Sequence, residues 1–360
     1  MDQNRKNLEK MGFCEWFEDR SKDPGPEAFQ PARIINAHKE SYTATNGVWT
    51  SYAEITGKLM FSAESPLDYP AVGDWCYVQY FDPHSPVIIH EIMPRRSILK
   101  RKAAGRKIEF QAIASNIDCA LIVQSLNSDF NLRRLERYLV MVREGNIEPV
   151  FLLSKSDLLE AVEIEERIDE LRENFPDVKL FAFSNSEENT VGQIEEMLTA
   201  GKTYCLLGSS GVGKTSLLNN LLGENVFKTE EIRAKDEKGR HATTSRQLLL
   251  LKVGAMMIDT PGMRELGNIG VESGIGEVFD DIAELASQCK FSDCSHQQEI
   301  GCAILEALED ESISHERYQN YTKMRKESEH HEMSYLERRK KDKGLGKLYK
   351  SVQKSNRKNF

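Results

Sequence analysis

One eight-residue segment, Gly208-Ser209-Ser210-Gly211-Val212-Gly213-Lys214-Thr215, constrains the fold of this chain more than any other feature. It matches the phosphate-loop pattern G-x-x-x-x-G-K-[ST] and lies between an apolar stretch, TYCLL, and an amphipathic one, SLLNNLL. A strand, a glycine-rich loop and a helix in this order build a cradle of backbone N–H groups, and the helix N-terminus adds positive potential for phosphate. A chance glycine-rich turn is the alternative interpretation.

The cradle predicts a nucleoside triphosphate with magnesium. Lys214 is expected to bridge the β- and γ-phosphates, and the Thr215 hydroxyl to ligate Mg²⁺. The segment Asp259-Thr260-Pro261-Gly262 follows the apolar stretch AMMI and adds a carboxylate for the magnesium shell and a glycine N–H for the γ-phosphate. The predicted nucleotide contacts of these two motifs are Gly208, Ser209, Ser210, Gly211, Val212, Gly213, Lys214, Thr215, Ser216, Asp259 and Gly262.

A third motif, Ser154-Lys155-Ser156-Asp157, follows the apolar stretch PVFLL and resembles the guanine-specificity motif N-K-x-D of GTPases. In that motif the aspartate accepts hydrogen bonds from guanine N1–H and N2–H₂, a donor pair that adenine lacks. Asp157 is therefore predicted to select GTP over ATP, with Ser154 and Lys155 beside it, although Ser154 replaces the usual asparagine. A polar helix cap is the alternative. Ser184 lies where such GTPases carry a short base-contacting segment, S-A-x, but Asn185 replaces the alanine.

The chain around these motifs divides into three patterns. Residues 33–92 hold short β-branched and aromatic stretches between turns, typical of a barrel of OB size, and any other small β-barrel is the alternative. The strands predicted there are ARIINA, YTAT, VWTSYAEI, KLMF, WCYVQY and VIIHEI. From about residue 108, apolar strands alternate with amphipathic helices, which indicates a parallel sheet covered by helices. After residue 267 the periodicity is helical.

Four metal-ligand residues crowd into the helical region. Cys289, Cys294, His296 and Cys302 have the spacing C-x₄-C-x-H-x₅-C. Three thiolates and one imidazole fit a closed tetrahedral zinc site with a structural role, because no position is left for water. Buried thiols without a metal are the alternative. Seven cysteines without a secretory signal argue against a disulfide framework.

The order of the motifs is diagnostic, because the guanine motif precedes the phosphate loop and D-x-x-G closes the set. This order indicates a circularly permuted GTPase domain. With a barrel before it and a Cys/His cluster after it, the chain resembles the RsgA (YjeQ) family, the GTPases of small-ribosomal-subunit maturation. Stretches with the look of that family are YPAVGDWCYV (69–78), MPRRSILKRKAAG (93–105), NIDCALIVQS (116–125), LRRLERYLV (132–140), GRHATT (239–244) and CKFSDCSHQQEIGC (289–302).

The resemblance implies roles in the loop between the phosphate loop and D-x-x-G. The family carries G-R-H-T-T there, and Ala242 replaces the first threonine of that pattern. Thr243 is therefore the implied magnesium and γ-phosphate ligand, joining Thr215 and Asp259, with Thr244 as the alternative. His241 is implied to position the attacking water, with a solvated loop histidine as the alternative. Met263 occupies the position where many GTPases carry a glutamine for that water, which predicts slow hydrolysis by the free protein.

Charge predicts a polyanionic partner. Residues 338–360 hold ten Lys and Arg against one acid, in a chain whose net charge is −9. A second basic run spans 95–107, and solvated charge is the alternative for such segments. Trp49, Trp75 and Tyr77 are candidates for base stacking, with core packing as the alternative.

No apolar run is long enough to cross a bilayer. Without a secretory signal, the cytoplasm is the expected compartment. The resemblance implies that the polyanion is rRNA of the small subunit, and a monomer is expected.

The resulting prediction is a multidomain α/β protein. Its domains are an N-terminal extension with an OB-like RNA-binding barrel (1–100), a circularly permuted P-loop GTPase domain (101–268) and an α-helical zinc-binding domain with a basic tail (269–360). The expected activity is GTP hydrolysis stimulated by the small subunit. An RNA-binding module that uses GTP as a regulatory ligand with negligible turnover is the second hypothesis, and Asp157 disfavours a third, an ATPase or kinase.

Overall fold

The computed structural model describes residues 3–20, 29–38, 41–82, 85–102, 110–224, 246–259, 272–291 and 294–332, and all structural statements concern these residues. Two compact units are present. The first comprises Met1–Arg101 with Phe110–Leu266, and the second comprises Lys102–Glu109 with Gly267–Phe360.

The chain begins with two short helices, α1 (Gln3–Lys10) and α2 (Glu15–Arg20). Phe13 and Phe17 are buried between these helices and the barrel, where both rings contact Trp75. Trp75 is fully buried. The N-terminal segment is therefore part of the first unit's core, and the core-packing alternative holds for Trp75.

Five strands form a closed barrel. They are β1 (Phe29–Ala37), β2 (Tyr42–Thr45), β3 (Thr50–Ile55), β4 (Trp75–Gln79) and β5 (Val87–Ile92). The strand order is β1-β2-β3-β5-β4, and pairing of β4 with β1 closes the barrel. Side chains from alternate positions, among them Ile34, Val78 and Ile89, fill its interior.

One strand prediction in this region is wrong. KLMF lies in helix α3 (Gly57–Ser62) and not in a strand. Thr56 caps this helix, since its hydroxyl accepts a hydrogen bond from the Leu59 N–H at 3.2 Å. Met60 and Phe61 are exposed on the helix. The apolar run resembled a strand in composition, but the N-cap directs the backbone into a helix.

The nucleotide-binding region comes after a two-stranded ribbon of β6 (Ile98–Lys102) and β7 (Phe110–Ser115), which the sequence pattern did not predict. Its strands are β8 (Cys119–Ser125), β9 (Glu148–Ser154), β10 (Lys179–Phe183), β11 (Thr203–Leu207), β12 (Arg246–Leu250) and β13 (Met256–Asp259). Its helices are α4 (Leu132–Glu144), α5 (Ala161–Asn174), α6 (Glu188–Met197) and α7 (Lys214–Leu222).

The sheet has the order β10-β9-β8-β11-β13-β12. The first five strands are parallel, as predicted. The apolar sequences of β8 and β11 are buried throughout and those of β9 and β13 are mostly buried, whereas β10, at the edge of the sheet, is only partly buried. Strand β12 is antiparallel to β13, which departs from the all-parallel prediction. The two strands are joined by the short turn at Gly254, whose φ is +79°, and a turn that tight reverses the chain direction.

The barrel and the sheet are continuous. Asn36 and Ala37 of β1 pair with Gln247 and Arg246 of β12, so eleven strands form one sheet. Beneath this junction Arg33 is buried, and its guanidinium donates to the Thr203 hydroxyl of β11 at 2.8 Å and the Asn116 carbonyl at 3.2 Å. Burial lowers the pKa of Arg33 to about 10, which leaves the side chain charged at neutral pH.

The described part of the second unit consists of helices and the loop that carries the cysteine cluster. It contains α8 (Glu272–Val278), α9 (Asp280–Ser287), α10 (Ala303–Glu309) and α11 (His315–Glu332). Phe279 packs edge-to-face on Tyr321, and Arg317 forms a two-point ion pair with Asp281 at 2.7 and 2.8 Å. These contacts attach α11 to α9.

Among the described helices, none combines the length and hydropathy needed to cross a membrane.

Candidate nucleotide and metal sites

The phosphate loop joins β11 to α7, as its sequence predicts. Gly208 and Gly213 have φ values of +145° and +92°, which L side chains rarely adopt. A Cβ at Gly208 would lie 2.3 Å from the Val123 carbonyl oxygen of β8, so only glycine allows this approach. The Lys214 ammonium donates to the carbonyls of Gly208 and Ser209 at 2.8 and 2.6 Å, across the mouth of the loop. Ser210 and Thr215 are exposed there.

The guanine motif lies at the same edge of the sheet. Ser154 ends β9 and is fully buried, and the Ser154 hydroxyl donates to the Val212 carbonyl of the phosphate loop at 2.7 Å. Lys155 has a φ of +63° and leads into a short 3₁₀ turn, Ser156–Leu158, that leaves Asp157 exposed. Because β8, β9 and β11 are parallel neighbours, their carboxyl ends bring the two motifs together.

Asn185 makes a contact that no sequence motif had indicated. Its amide nitrogen donates to the Gly213 carbonyl at 3.1 Å, and the Asn220 amide of α7 donates to the Asn185 carbonyl at 3.1 Å. Ser184 is buried, and its hydroxyl contacts the Ser186 hydroxyl at 2.7 Å. The segment after β10 thus supports the phosphate loop through Asn185, the residue that replaces the family's alanine.

Asp259 ends β13, the parallel neighbour of β11, and is half-buried at the same edge. Its position suits a role beside the phosphate loop. The other residues predicted for the switch region, His241, Thr243 and Gly262, lie outside the described residues, as does Met263.

Two further side chains contact the phosphate loop without having been predicted. Arg134, in the first turn of α4, donates to the Ser209 hydroxyl at 3.0 Å and forms an ion pair with Asp129, whose carboxylate also accepts from that hydroxyl at 3.4 Å. An arginine three positions after a helix-capping asparagine is an ordinary sequence feature, so no local signal marks it.

The predicted metal ligands converge. One ligand atom from each of Cys289, Cys294, His296 and Cys302 lies within 4.8 Å of the others. His296 Nδ1 lies 3.5 Å from the sulfurs of Cys289 and Cys302. The donor set and its compactness fit a tetrahedral metal ion of the zinc type.

The loop that carries these ligands is fixed by its own hydrogen bonds. The Glu299 carboxylate accepts from the backbone N–H groups of Ser295, Gln297 and Gln298 and from the Ser295 hydroxyl. The hydrogen bond from the Ser295 hydroxyl, followed by those from the backbone, holds the pKa of Glu299 well below its usual range. His296 has a φ of +59°, and its carbonyl accepts from the Tyr318 hydroxyl of α11 at 2.5 Å.

Much of the basic run at 95–107 is used inside the fold. Arg95 forms an ion pair with the buried Asp74 at 2.7 Å, Arg96 pairs with Asp118 at 2.6 Å, and Lys100 pairs with Glu144 at 3.2 Å. Arg101 is exposed, and residues 103–109 lie outside the described part of the chain. On the barrel, Trp49 stacks on Tyr80 and Tyr77 is half-buried. The basic tail at 338–360 also lies outside the described residues.

A guanine motif that precedes its phosphate loop, with both at the carboxyl edge of a parallel sheet that continues a five-stranded barrel, defines a circularly permuted P-loop GTPase. The model of the RsgA GTPase family matches residues 92–269. The small ribosomal subunit biogenesis GTPase RsgA 1 of Bacteroides thetaiotaomicron is 41% identical over 326 residues, which cover 89% of this chain and 90% of that protein. RsgA 2 of Vibrio vulnificus is 36% identical, with coverage of 98% and 96%. The chain belongs to the RsgA family and is therefore a GTP hydrolase.

Solved structures support the fold. The crystal structure of YjeQ from Thermotoga maritima matches with a TM-score of 0.61 at 24% identity, covering 83% of this chain and 98% of that one. That of YloQ, described as a circularly permuted GTPase, matches with a TM-score of 0.60 at 24% identity, covering 88% and 100%.

Proposed function

We propose that this protein is a GTPase of small-ribosomal-subunit biogenesis that hydrolyses GTP to GDP and phosphate, turns over faster on the subunit than alone, and is then released. The observation that carries the nucleotide assignment is the 2.7 Å hydrogen bond between Ser154 and Val212, because it joins the guanine motif to the phosphate loop. The ribosomal assignment is supported by the names of the Bacteroides thetaiotaomicron and Vibrio vulnificus relatives.

Each predicted residue has a defined task in this proposal. Asp157 accepts from the guanine edge, the loop N–H groups of 208–216 surround the phosphates, and Lys214 bridges the β- and γ-phosphates. Thr215, Thr243 and Asp259 would hold magnesium, which would supply positive charge beside the phosphates. Ser154 and Lys155 support the base motif from the end of β9.

Hydrolysis is completed by the partner in this proposal. Met263 cannot hydrogen-bond an attacking water, so we expect slow turnover by the free protein and assign water positioning to His241. Completion of such a site by a partner accelerates other GTPases by roughly 10³ to 10⁵.

The remaining parts serve binding. The cysteine cluster holds one zinc ion with a structural role, and the barrel and the basic tail contact rRNA as a monomeric protein in the cytoplasm. Because basic segments contact the phosphates of the RNA, we expect this part of the rRNA affinity to fall as salt is added and to be independent of the RNA sequence.

The test measures GTP hydrolysis with and without purified small ribosomal subunits. Acceleration by the subunits is expected, and equal rates would remove the ribosomal part of the proposal.

A second experiment tests base selection, in which Asp157→Asn should reduce the preference for GTP over ATP in competition binding. Single-turnover hydrolysis on subunits by the parent protein and by His241→Ala addresses the second hypothesis. If the protein is a GTPase, His241→Ala should hydrolyse GTP much more slowly than the parent. A regulatory GTP-binding module would show negligible turnover in both the parent and the variant.

A further inference from the structure

A second cation lies against the phosphate loop in addition to Lys214. The Arg134 guanidinium donates to the Ser209 hydroxyl at 3.0 Å, and the carbonyl of the same serine accepts from Lys214 at 2.6 Å. Asp129 binds both terminal nitrogens of Arg134, at 2.8 and 3.0 Å. We call Arg134, Asp129 and Ser209 the loop clasp. Two positive side chains thus hold the two oxygens of one loop residue.

Local structure fixes the clasp in this arrangement. Asn131 caps α4 and accepts from the Arg134 N–H at 3.0 Å, so the arginine leaves the first helical turn at a defined angle. The amide nitrogen of the buried Gln124, in β8, donates to the Asp129 carbonyl at 2.8 Å. Because both ends of the ion pair are anchored, the guanidinium is held beside the loop before any nucleotide arrives.

The charges in the clasp balance each other. The hydrogen bond from Arg134 lowers the pKa of Asp129, and Lys155 of the guanine motif lowers it further. Asp129 in turn raises the pKa of Arg134 through the same hydrogen bond. Both groups are therefore charged at neutral pH, and the carboxylate offsets the positive potential that Arg134 adds at the loop. The side chains are 25% and 48% exposed, so water and salt screen their field in part.

We propose that Arg134 is a second phosphate-loop cation that favours GTP over GDP, and that Asp129 is the counter-charge that limits this preference. This inference rests on the proposed function, because it requires a guanine nucleotide in the phosphate loop. GTP carries more negative charge than GDP, so a cation at the loop stabilises the triphosphate more. Arg134 acts through the field at the loop and through Ser209, which makes it a positioning and discriminating residue.

The test compares two variants that change the clasp charge in opposite directions. Arg134→Ala removes the cation, and Asp129→Asn removes the counter-charge while keeping a group of similar shape. Dissociation constants for GDP and for a non-hydrolysable GTP analogue are measured with magnesium at low salt. We expect Arg134→Ala to lower the preference for the triphosphate about fivefold and Asp129→Asn to raise it, by amounts that shrink as salt is added.

Arg172→Ala is the matched control. Arg172 pairs with Asp169 on the exposed surface of α5, and we expect this variant to bind both nucleotides as the parent does. Arg134→Lys keeps the charge but cannot form the two-point ion pair, so it should retain most of the preference. Thermal unfolding without nucleotide identifies a variant that has lost its fold, in which case Arg134→Lys and Asp129→Asn carry the test.

Equal weakening of both nucleotides by Arg134→Ala and Asp129→Asn would overturn the proposal, because the clasp would then only support the loop. An unchanged preference in both variants would also overturn it. If the parent protein binds neither guanine nucleotide, the proposed function itself fails. This failure is distinguishable from failure of the clasp proposal, because it is measured on the parent protein without any variant.

Discussion

At position 154 a hydroxyl joins the guanine motif to the phosphate loop. Ser154 is fully buried, and its donor reaches the Val212 carbonyl at 2.7 Å. Serine is shorter than the asparagine of the N-K-x-D motif, yet it still connects the guanine motif to the phosphate loop. A buried carbonyl that loses its donor retains the cost of its desolvation, so the bond matters more than its modest net energy suggests.

Ser154→Ala should weaken binding of GTP and GDP alike. Loss of this hydrogen bond costs about 1 kcal/mol, which corresponds to about fivefold in Kd. Titration with fluorescent forms of both nucleotides measures the effect. Ser156→Ala, two positions along the same motif, is the control and should bind as the parent does. Equal affinities for Ser154→Ala and the parent would show that the motifs are held together by other contacts.

The site was predictable where its chemistry is local in sequence. The phosphate loop, the guanine motif and the cysteine cluster are short patterns, and each was found by its spacing. Asn185 and Arg134 contact loop residues that are 28 and 75 positions away, through the strand order. No local pattern encodes such a contact, because it depends on which parallel strands become neighbours.

Among the elements, the N-terminal helices have a larger structural role than their position at the chain end suggests. Phe17 is 1% exposed and stacks on Phe13, and both rings contact Trp75 of β4. The Met11 carbonyl accepts from Arg33 of β1, so the segment is fastened to the barrel by polar contacts as well.

Phe17→Ala should lower the free energy of unfolding of the first unit by about 3 to 5 kcal/mol, because a buried ring is replaced by a cavity. Urea unfolding followed by tryptophan fluorescence measures this loss. The control is Phe61→Ala, since Phe61 is 94% exposed on α3 and its truncation creates no cavity. A loss as small as that of the control would mean that the N-terminal segment contributes little to the core.

In the loop of the cysteine cluster, the Tyr318 hydroxyl of α11 donates to the backbone carbonyl of His296, a predicted metal ligand. Tyr318→Phe removes this donor and should lower metal affinity about tenfold, in the range found for groups that orient metal ligands. Competition with a colorimetric zinc chelator measures the affinity. Tyr321→Phe on the same helix is the control, because the edge-to-face contact of Tyr321 with Phe279 does not need the phenol oxygen. Unchanged affinity in Tyr318→Phe would contradict the orienting role.

The secondary-structure elements that could be predicted are those in which burial gives the sequence a clear hydrophobic pattern. From about residue 108 apolar strands alternate with helices such as α4 and α5, as the sequence pattern predicted. KLMF was mistaken for a strand because a short apolar run has no distinct period and Thr56 decides the outcome as an N-cap. Strand β12 is antiparallel because its partner comes after a tight turn, and apolar composition carries no strand direction.

For the whole molecule, permutation places the D-x-x-G motif directly before the second unit in the chain. Strand β13 ends at Asp259, and the next described element is α8 (Glu272–Val278) of the second unit. The chain then enters α8 and α9 and reaches the first cysteine of the cluster at Cys289. The segment that meets the γ-phosphate in GTPases is thus linked covalently to the second unit, through few residues.

This connection predicts that hydrogen exchange across 267–302 differs between GDP and a non-hydrolysable GTP analogue. In the proposed function the γ-phosphate contacts the D-x-x-G segment, so we expect its loss to free one end of the chain that leads to the cysteine cluster. Exchange followed by mass spectrometry measures protection peptide by peptide. Lys214→Ala, which lacks the lysine proposed to bind the phosphates, is the control and should exchange alike with either nucleotide. Identical exchange of the parent protein in both states would mean that the second unit does not sense the γ-phosphate through this connection, and that any nucleotide signal reaches a partner through the first unit alone.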